Sequence, residues 1–138
     1  MKTLSFDTGI VTYSLNDKCE IKINPTDSML VGRLIGLVDG LGEIREKHAA
    51  EVEKADARDV YNISVKFDND MRKEIDAALG APVCDAVFGD MSVLALADGL
   101  PVFCNLIFAI LDEVDAGWER EGKKTSSRMA SYTAKYKK

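Results

Sequence analysis

The sequence is poor in the residues that form disulfides or bind metals in small proteins. Its 138 residues contain only 3 cysteines, 3 prolines, 1 histidine and 1 tryptophan. Cys19, Cys84 and Cys104 are odd in number and include no Cys-x-x-Cys pair, which excludes a standard zinc site and favours free thiols in a reducing compartment. Because prolines are few and 46% of the residues are hydrophobic, the chain is typical of folded proteins.

Motifs of common enzymes and of membrane insertion are also missing from the sequence. It contains no Gly-x-Gly-x-x-Gly, no phosphate-binding loop and no Gly-x-Ser-x-Gly. It does not begin with a signal-peptide pattern, the apolar run 100–111 is too short for a bilayer, and the longer run 29–44 carries charges. We therefore expect no enzyme, no cofactor or metal, and no membrane protein.

Three groups of residues are candidates for chemical sites. His48 lies near Glu46 and Glu51, but a single histidine on a charged helix is more often a packing or solvated residue than a general base. The segment 68–70 lacks the glycine and the distal glutamate of a calcium loop. The remaining carboxylates fit the polar face of a helix and are Asp112, Glu113, Asp115 and Glu119.

The net charge of −5 is unevenly distributed along the chain. Six basic residues and no acidic one lie from Lys123 onward, so residues 1–122 hold 12 basic against 23 acidic residues, a net charge of −11. An acidic body repels nucleic acid, which leaves the basic tail with Tyr132 and Tyr136 as the one phosphate-facing element. The Ser-, Thr- and Lys-rich composition of residues 123–138 predicts a disordered, solvated tail, and we expect no nucleic-acid partner.

Residues 3–23 are predicted to form a β-ribbon. Apolar and polar side chains alternate on both sides of Asn16-Asp17-Lys18, which has the composition of a tight turn. Leu4 and Phe6 could add a third strand. Because such a ribbon is marginal alone, it should pack on helices or on the sheet of another subunit.

A long helix is predicted after the ribbon. Thr26 or Asp27 can cap its start, and apolar residues from Leu30 to His48 recur at alternating steps of four and three. The same seam could carry the helix to about Ala55, and the second half of the helix is strongly charged. One continuous helix is therefore expected.

Gly32, Gly36 and Gly40 lie at steps of four on one face of this helix. Each glycine costs about 1 kcal/mol relative to alanine in a helix interior. The face can therefore be a site where a second helix, of this chain or of a partner, approaches closely, or a loosely packed surface that tolerates small residues. We take these glycines, with Arg33 and Leu37, as the candidate interaction face.

Further helices are predicted in the second half of the chain. Residues 56–80 fit an alternating strand in part, but the longer helical pattern decides for a helix that ends at Gly80. A short helix should end at Phe88-Gly89, and Asp98-Gly99-Leu100-Pro101 marks a break before the last helix, with Trp118 packed at its end. The chain is thus expected to be α+β and mainly helical.

This organisation corresponds to one domain. The domain is expected to span residues 1–122, with the ribbon packed on four to five helices that lie within residues 26–120. A chain of this length can bury a substantial core without disulfides.

The core stretch also carries a family pattern: Val83-Cys84-Asp85-Ala86-Val87-Phe88-Gly89-Asp90, then Ala97-Asp98-Gly99-Leu100-Pro101-Val102-Phe103, then Asn105-Leu106 and Ala109-Ile110. It resembles a pattern in small tail proteins of prophages in Gram-positive bacteria, which are similar to the tail assembly chaperones of long-tailed phages. In those proteins a helix ending in Phe-Gly, a polar break, a Gly-containing turn and a closing helix follow a β-ribbon and a long charged helix. The resemblance extends more loosely over residues 1–122.

The resemblance implies a non-enzymatic role in the host bacterial cytoplasm. Such chaperones bind the long, helical tape-measure protein, keep it soluble, help tail-tube subunits polymerise around it, and are absent from the mature virion. In many of these systems a ribosomal frameshift adds a tube-binding extension to some copies, and this chain would be the shorter product. The implied partners are the tape-measure and tail-tube proteins, with a homo-oligomer as a further possibility.

Two other classes of function stay open at this point. A structural virion protein, such as a head–tail connector or tail-tube component, could use the N-terminal ribbon to extend the sheet of a neighbouring subunit. A small nucleic-acid-associated protein could act through the basic tail.

Overall fold

The structure, a computed structural model, describes residues 1–136 of the chain. The elements in chain order are β1 (Val11–Leu15), β2 (Cys19–Ile23), α1 (Ser28–Asp39), α2 (Leu41–Lys54), α3 (Ala57–Leu79), α4 (Val83–Phe88), β3 (Leu96–Ala97), β4 (Leu100–Pro101) and α5 (Val102–Tyr136). The predicted α+β, mainly helical fold with an N-terminal antiparallel hairpin packed on helices is confirmed.

The hairpin has the predicted turn. Strands β1 and β2 are antiparallel with Tyr13 opposite Ile21, and Asn16 and Asp17 adopt φ values of 51° and 57°, which suit a tight hairpin turn. Ile21 and Ile23 are buried and anchor the hairpin to the core.

The possible third strand is not formed, because local hydrogen bonds turn the chain before β1. Residues 1–10 contain no strand, and Leu4 and Phe6 remain exposed. Gly9 has a φ of 73° and donates its N–H to Asp7 Oδ1 at 2.8 Å. Asn24 Nδ2 donates to the Thr8 carbonyl at 2.9 Å. We call residues 1–8 the N-terminal arm.

The single long helix predicted from residue 26 or 27 onward is wrong in one respect: it is two helices. Asp27 caps α1 as expected, accepting the Met29 N–H at 3.0 Å, but α1 ends at Asp39 and α2 begins at Leu41. Gly40 between them has a φ of −74° and a ψ of −8°. Glycine has the weakest helix propensity after proline, so the chain bends there although the apolar spacing continues across it.

The interpretation of residues 56–80 as helical is confirmed by α3. Asp56 caps the start and accepts the Arg58 and Asp59 N–H groups, each at 3.1 Å. Gly80 ends the helix in the left-handed conformation with a φ of 69°. The second half of α3 supplies its buried apolar residues, which are Met71, Ile75, Ala78 and Leu79.

The core lies where β2, α1, α3, α4 and the first half of α5 meet. Its largest fully buried side chains include Phe103, Leu34, Met71, Ile75 and Ile107. The predicted break before the last helix is a small hairpin in which β3 pairs with β4. Asp98 and Gly99 at its turn have φ values of 55° and 79°.

The predicted disorder after residue 122 is not what the structure shows. Helix α5 continues to Tyr136 without a break, and residues 137–138 of the predicted tail lie outside the described residues. No proline interrupts this segment, and Lys123 pairs with Glu119 one turn earlier at 3.5 Å. Trp118, expected to pack at the end of the last helix, is instead 56% exposed on it.

Candidate interaction surfaces

The glycines predicted to form an interaction face divide into two groups. Gly32 and Gly36 are exposed, and a Cβ added at either would meet nothing within 4 Å in the described chain. Gly40 is half-buried at the bend, where an added Cβ would lie 3.4 Å from the Gly36 carbonyl oxygen. No second helix of residues 1–136 therefore approaches Gly32 or Gly36.

The other two residues predicted for this face hold α1 in place. Arg33 donates from Nε to the Ala78 carbonyl at 3.2 Å and so ties α1 to the end of α3. Leu37 is half-buried against the core. These two residues position the exposed glycines.

Two apolar side chains lie beside the exposed glycines. Met29 is 72% exposed and Ile35 is 44% exposed, and helical spacing places each beside Gly32, three residues away along α1. We call these four residues the α1 face. It is an exposed surface onto which another helix could pack closely, since the glycines carry no side chain to hold it away.

A second open apolar surface lies between the hairpin and α5. Two adjoining cavities of about 160 and 420 Å³ share Ser14, Leu15 and Ala109 in their walls. Val87, Phe88, Met91 and Leu106 line the larger one. We call this surface the hairpin groove.

The main polar feature that the sequence reading missed is centred on Arg72 of α3. Its side chain is only 11% exposed and every nitrogen of the guanidinium group donates a hydrogen bond. Nε donates to Asp68 Oδ2 and Nη1 to Asp85 Oδ1, both at 2.8 Å. Nη2 donates to the Gly89 and Met91 carbonyls, both at 2.6 Å. Arg72 thus fixes the chain that follows α4.

Acidic side chains complete this network. Asp68 Oδ1 accepts the Val93 N–H at 2.7 Å, and Asp76 caps α4 by accepting the Val83 and Cys84 N–H groups at 3.0 and 2.9 Å. Burial acts to lower the pKa of Arg72, but the hydrogen bonds that Arg72 donates to the Asp85 and Asp68 carboxylates, and the negative charges of both, outweigh burial and raise this pKa above its ordinary value. The guanidinium group is therefore permanently charged.

A cavity of about 760 Å³ opens beside this network. Asp68, Asp85 and Asp90 contribute carboxylates to its wall, together with Tyr61 and Ser64. Four of the five N–H donors of the Arg72 guanidinium group are used within the chain, and Asp68 accepts hydrogen bonds from the Val93 N–H and the Arg72 side chain. These contacts make the network a structural feature.

His48 is also held by structural contacts. Its Nε2 lies 3.0 Å from Ser64 Oγ, and its ring meets the Phe67 ring edge-on with centroids 5.1 Å apart. This contact joins α2 to α3, in agreement with the interpretation of His48 as a packing residue.

Two of the thiols are shielded from chemistry. Desolvation by burial, with a contribution from Asp76, raises the pKa of Cys84 to about 12, and burial also raises the pKa of Cys104. Cys19 is half-buried.

A thiol titration tests this difference directly. In the native protein at pH 8, a disulfide reagent should react rapidly with about one thiol, that of Cys19. The thiolate is the reactive form, and burial disfavours the thiolate of the two deeper cysteines. In denaturant all 3 thiols should react. Rapid reaction of Cys84 in the native state would show that α4 opens readily.

The fold and its surfaces define a small α+β, mainly helical domain with open apolar faces. Within residues 1–136, no group of three or more His, Cys, Asp or Glu side chains could hold a metal ion. In the same residues, none of the helices combines the length and the apolar character needed to cross a membrane. Compared with known proteins, the chain matches no family model, no curated protein and no solved structure.

Proposed function

We propose that this protein is a phage tail assembly chaperone that binds the tape-measure protein and assists assembly of the tail tube in the host cytoplasm. Two kinds of observation support the proposal. The pattern in residues 83–110 resembles these chaperones, and the observation that carries the binding role is the α1 face, where Gly32 and Gly36 are open to solvent.

The α1 face suits a helical client. A helix can approach closely where glycines replace side chains, and the flexible Met29 and the branched Ile35 supply apolar contacts on either side. Tape-measure proteins are long and helical, so their apolar helix faces need cover before the tube closes around them. The α1 face would provide that cover reversibly, without catalysis.

Gly36→Leu is the variant that tests this role. A leucine at residue 36 should weaken binding of tape-measure fragments at least tenfold, about 1.4 kcal/mol, because its side chain stands where the client helix would lie. The same change should not destabilise the fold, since an added Cβ meets nothing within 4 Å in the described chain and leucine favours the helix by somewhat under 1 kcal/mol relative to glycine. Titration calorimetry and urea unfolding measure the two effects.

Gly42→Leu is the matched control. Gly42 is exposed in the first turn of α2 and also has nothing within 4 Å of an added Cβ in the described chain. This variant gains the same side chain away from the α1 face and should bind the client as the wild type does. Equal binding by wild type and both variants would remove the α1 face from the proposal.

A structural virion protein is a second candidate, favoured by the N-terminal arm. Leu4 and Phe6 are 85% and 81% exposed on this arm, and within the described residues β1 pairs only with β2. Such a segment could add a strand to the sheet of a neighbouring subunit. Recovery of the protein in purified mature virions at ring stoichiometry would favour this candidate; its absence from virions, with presence in cell extracts, favours the chaperone.

A further inference from the structure

The second half of α5 stands apart from the rest of the fold. Gly117 is the last buried residue, and a Cβ added to it would lie 3.0 Å from Pro25 Cγ. Each residue from Trp118 to Tyr136 is exposed. At 1.5 Å per residue this projecting helix is about 28 Å long. A helix without a packed face is weakly stabilised in water, because most helix stability in proteins comes from packing one apolar face.

The projecting helix does have an apolar face. The residues of this face recur at alternating steps of four and three, the spacing of a two-helix coiled coil. We call these residues the α5 seam: Trp118, Gly122, Thr125, Met129, Tyr132 and Tyr136. The four large side chains are 56%, 65%, 55% and 67% exposed in chain order. Through Leu111 and Val114, the seam continues the face by which α5 packs in the domain.

Contacts along the helix already order several of these side chains. The Tyr132 and Tyr136 rings are stacked with centroids 6.0 Å apart. Arg128 lies over the Tyr132 ring at 5.9 Å, and Lys135 over the Tyr136 ring at 5.2 Å. Aromatic side chains ordered in this way are typical anchors of protein interfaces.

Charge decides what can cover the seam. From Lys123 to Tyr136 the helix carries four basic residues and no acidic one. Just before it, residues 112–121 carry five acidic residues and one basic one. A second copy in parallel would place basic against basic along the seam, whereas an antiparallel copy brings the basic end of each helix, at Lys135, toward Glu119 and Glu121 of the other.

We propose that the protein forms a homodimer in which the α5 seams of two copies pair in antiparallel orientation, with the two-fold axis near residue 127. This register places Gly122 opposite Tyr132 of the second copy and Thr125 opposite Met129, so small residues face large ones. Trp118 then faces Tyr136. The dimer contacts involve α5 alone, so the dimer is tested independently of client binding on the α1 face.

The register also brings opposite charges together at both ends of the paired helices. Glu121 and Lys135 lie on the same side of the seam. The two-fold axis places Glu121 of each copy beside Lys135 of the other. Arg128 meets its own counterpart near the axis, a like-charge approach that its contact with the Tyr132 ring moderates. Raising the salt concentration should therefore weaken the dimer of the wild-type chain, in which Arg128 is present, without abolishing it.

Sedimentation equilibrium of the full chain tests the dimer. The wild type should be a dimer at micromolar concentrations, and Met129→Asp should raise the dimer dissociation constant at least a hundredfold by placing a charge in the seam. Ser131→Asp adds the same charge on the opposite face of the helix and should leave the dimer intact. Because residues 118–136 are exposed, urea unfolding at concentrations where both variants are monomeric should show an unchanged domain.

Charge reversal tests the orientation. Glu121→Lys alone and Lys135→Glu alone should each weaken the dimer several-fold, and the double variant should restore it, because only the antiparallel pairing sets these residues against each other. Trp118 is the single tryptophan, so its emission should shift to shorter wavelength as the wild type dimerises. A wild type that stays monomeric up to about 1 mM, a dimer insensitive to Met129→Asp, no restoration by the double variant, or a monomer whose α5 instead binds RNA would each overturn the proposal.

Discussion

Replacing Arg72 by alanine is expected to lower the free energy of unfolding by about 3–5 kcal/mol. The side chain is 11% exposed, and its loss would leave the 17% exposed Asp68 carboxylate without its cation. The Gly89 and Met91 carbonyls would also lose their donor. Breaking one side of a buried ion pair costs this much because the remaining charge stays desolvated. Urea unfolding followed by circular dichroism measures the change.

Two comparison variants make the Arg72 result specific. Lys66→Ala removes an exposed basic side chain from the same helix and should change stability by no more than about 0.5 kcal/mol. Arg72→Lys keeps the charge but loses the forked donors, so it should fall well short of wild-type stability. A loss below about 1 kcal/mol for Arg72→Ala would mean that the segment after α4 does not depend on this network.

Phe103→Ala is expected to cost about 3–5 kcal/mol of stability. Phe103 is 0% exposed at the start of α5, and its backbone N–H donates to the Val93 carbonyl at 3.2 Å. Removing the ring leaves a cavity in the core that the surrounding side chains cannot fill without moving.

Phe108→Ala is the control for this cavity. Phe108 lies on the same helix but is 38% exposed, so its loss should cost clearly less than that of Phe103. Similar losses for the two variants would contradict the packing of α5 described here.

Local signals allowed much of the fold to be predicted. The turn at Asn16-Asp17, the cap at Asp27 and the end of α3 at Gly80 each depend on a residue with a strong conformational preference. The apolar spacing of α3 identified it as a helix although Tyr61, Ile63 and Val65 alternate like a strand. Length decided between the two patterns, because a long helical period is difficult to produce by chance.

The features that the sequence did not predict depend on opposing preferences of several residues. The bend at Gly40 interrupts an apolar spacing that continues through it. The projecting half of α5 has the composition of a disordered tail, yet its spacing from Trp118 to Tyr136 is that of a helix seam. Composition and periodicity disagree there, and periodicity agrees with the structure.

The candidate site was only partly predictable for a similar reason. Spacing identified Gly32 and Gly36 as sharing a face, but whether another part of the chain covers that face depends on tertiary packing. For Arg72, Asp68 four residues earlier is a local signal. Its bonds to Asp85 and to two backbone carbonyls join segments 13 to 19 residues away, which sequence spacing does not reveal.

The central claim is that the α1 face binds a long helical client during tail assembly. The most direct test is to purify the chain with a tape-measure protein, and to measure binding and client solubility with wild type and Gly36→Leu. The account predicts that the wild type binds the client and keeps it soluble, while Gly36→Leu folds normally but loses most of this binding. A client that stays soluble alone and shows no binding to the wild-type chain would contradict the account.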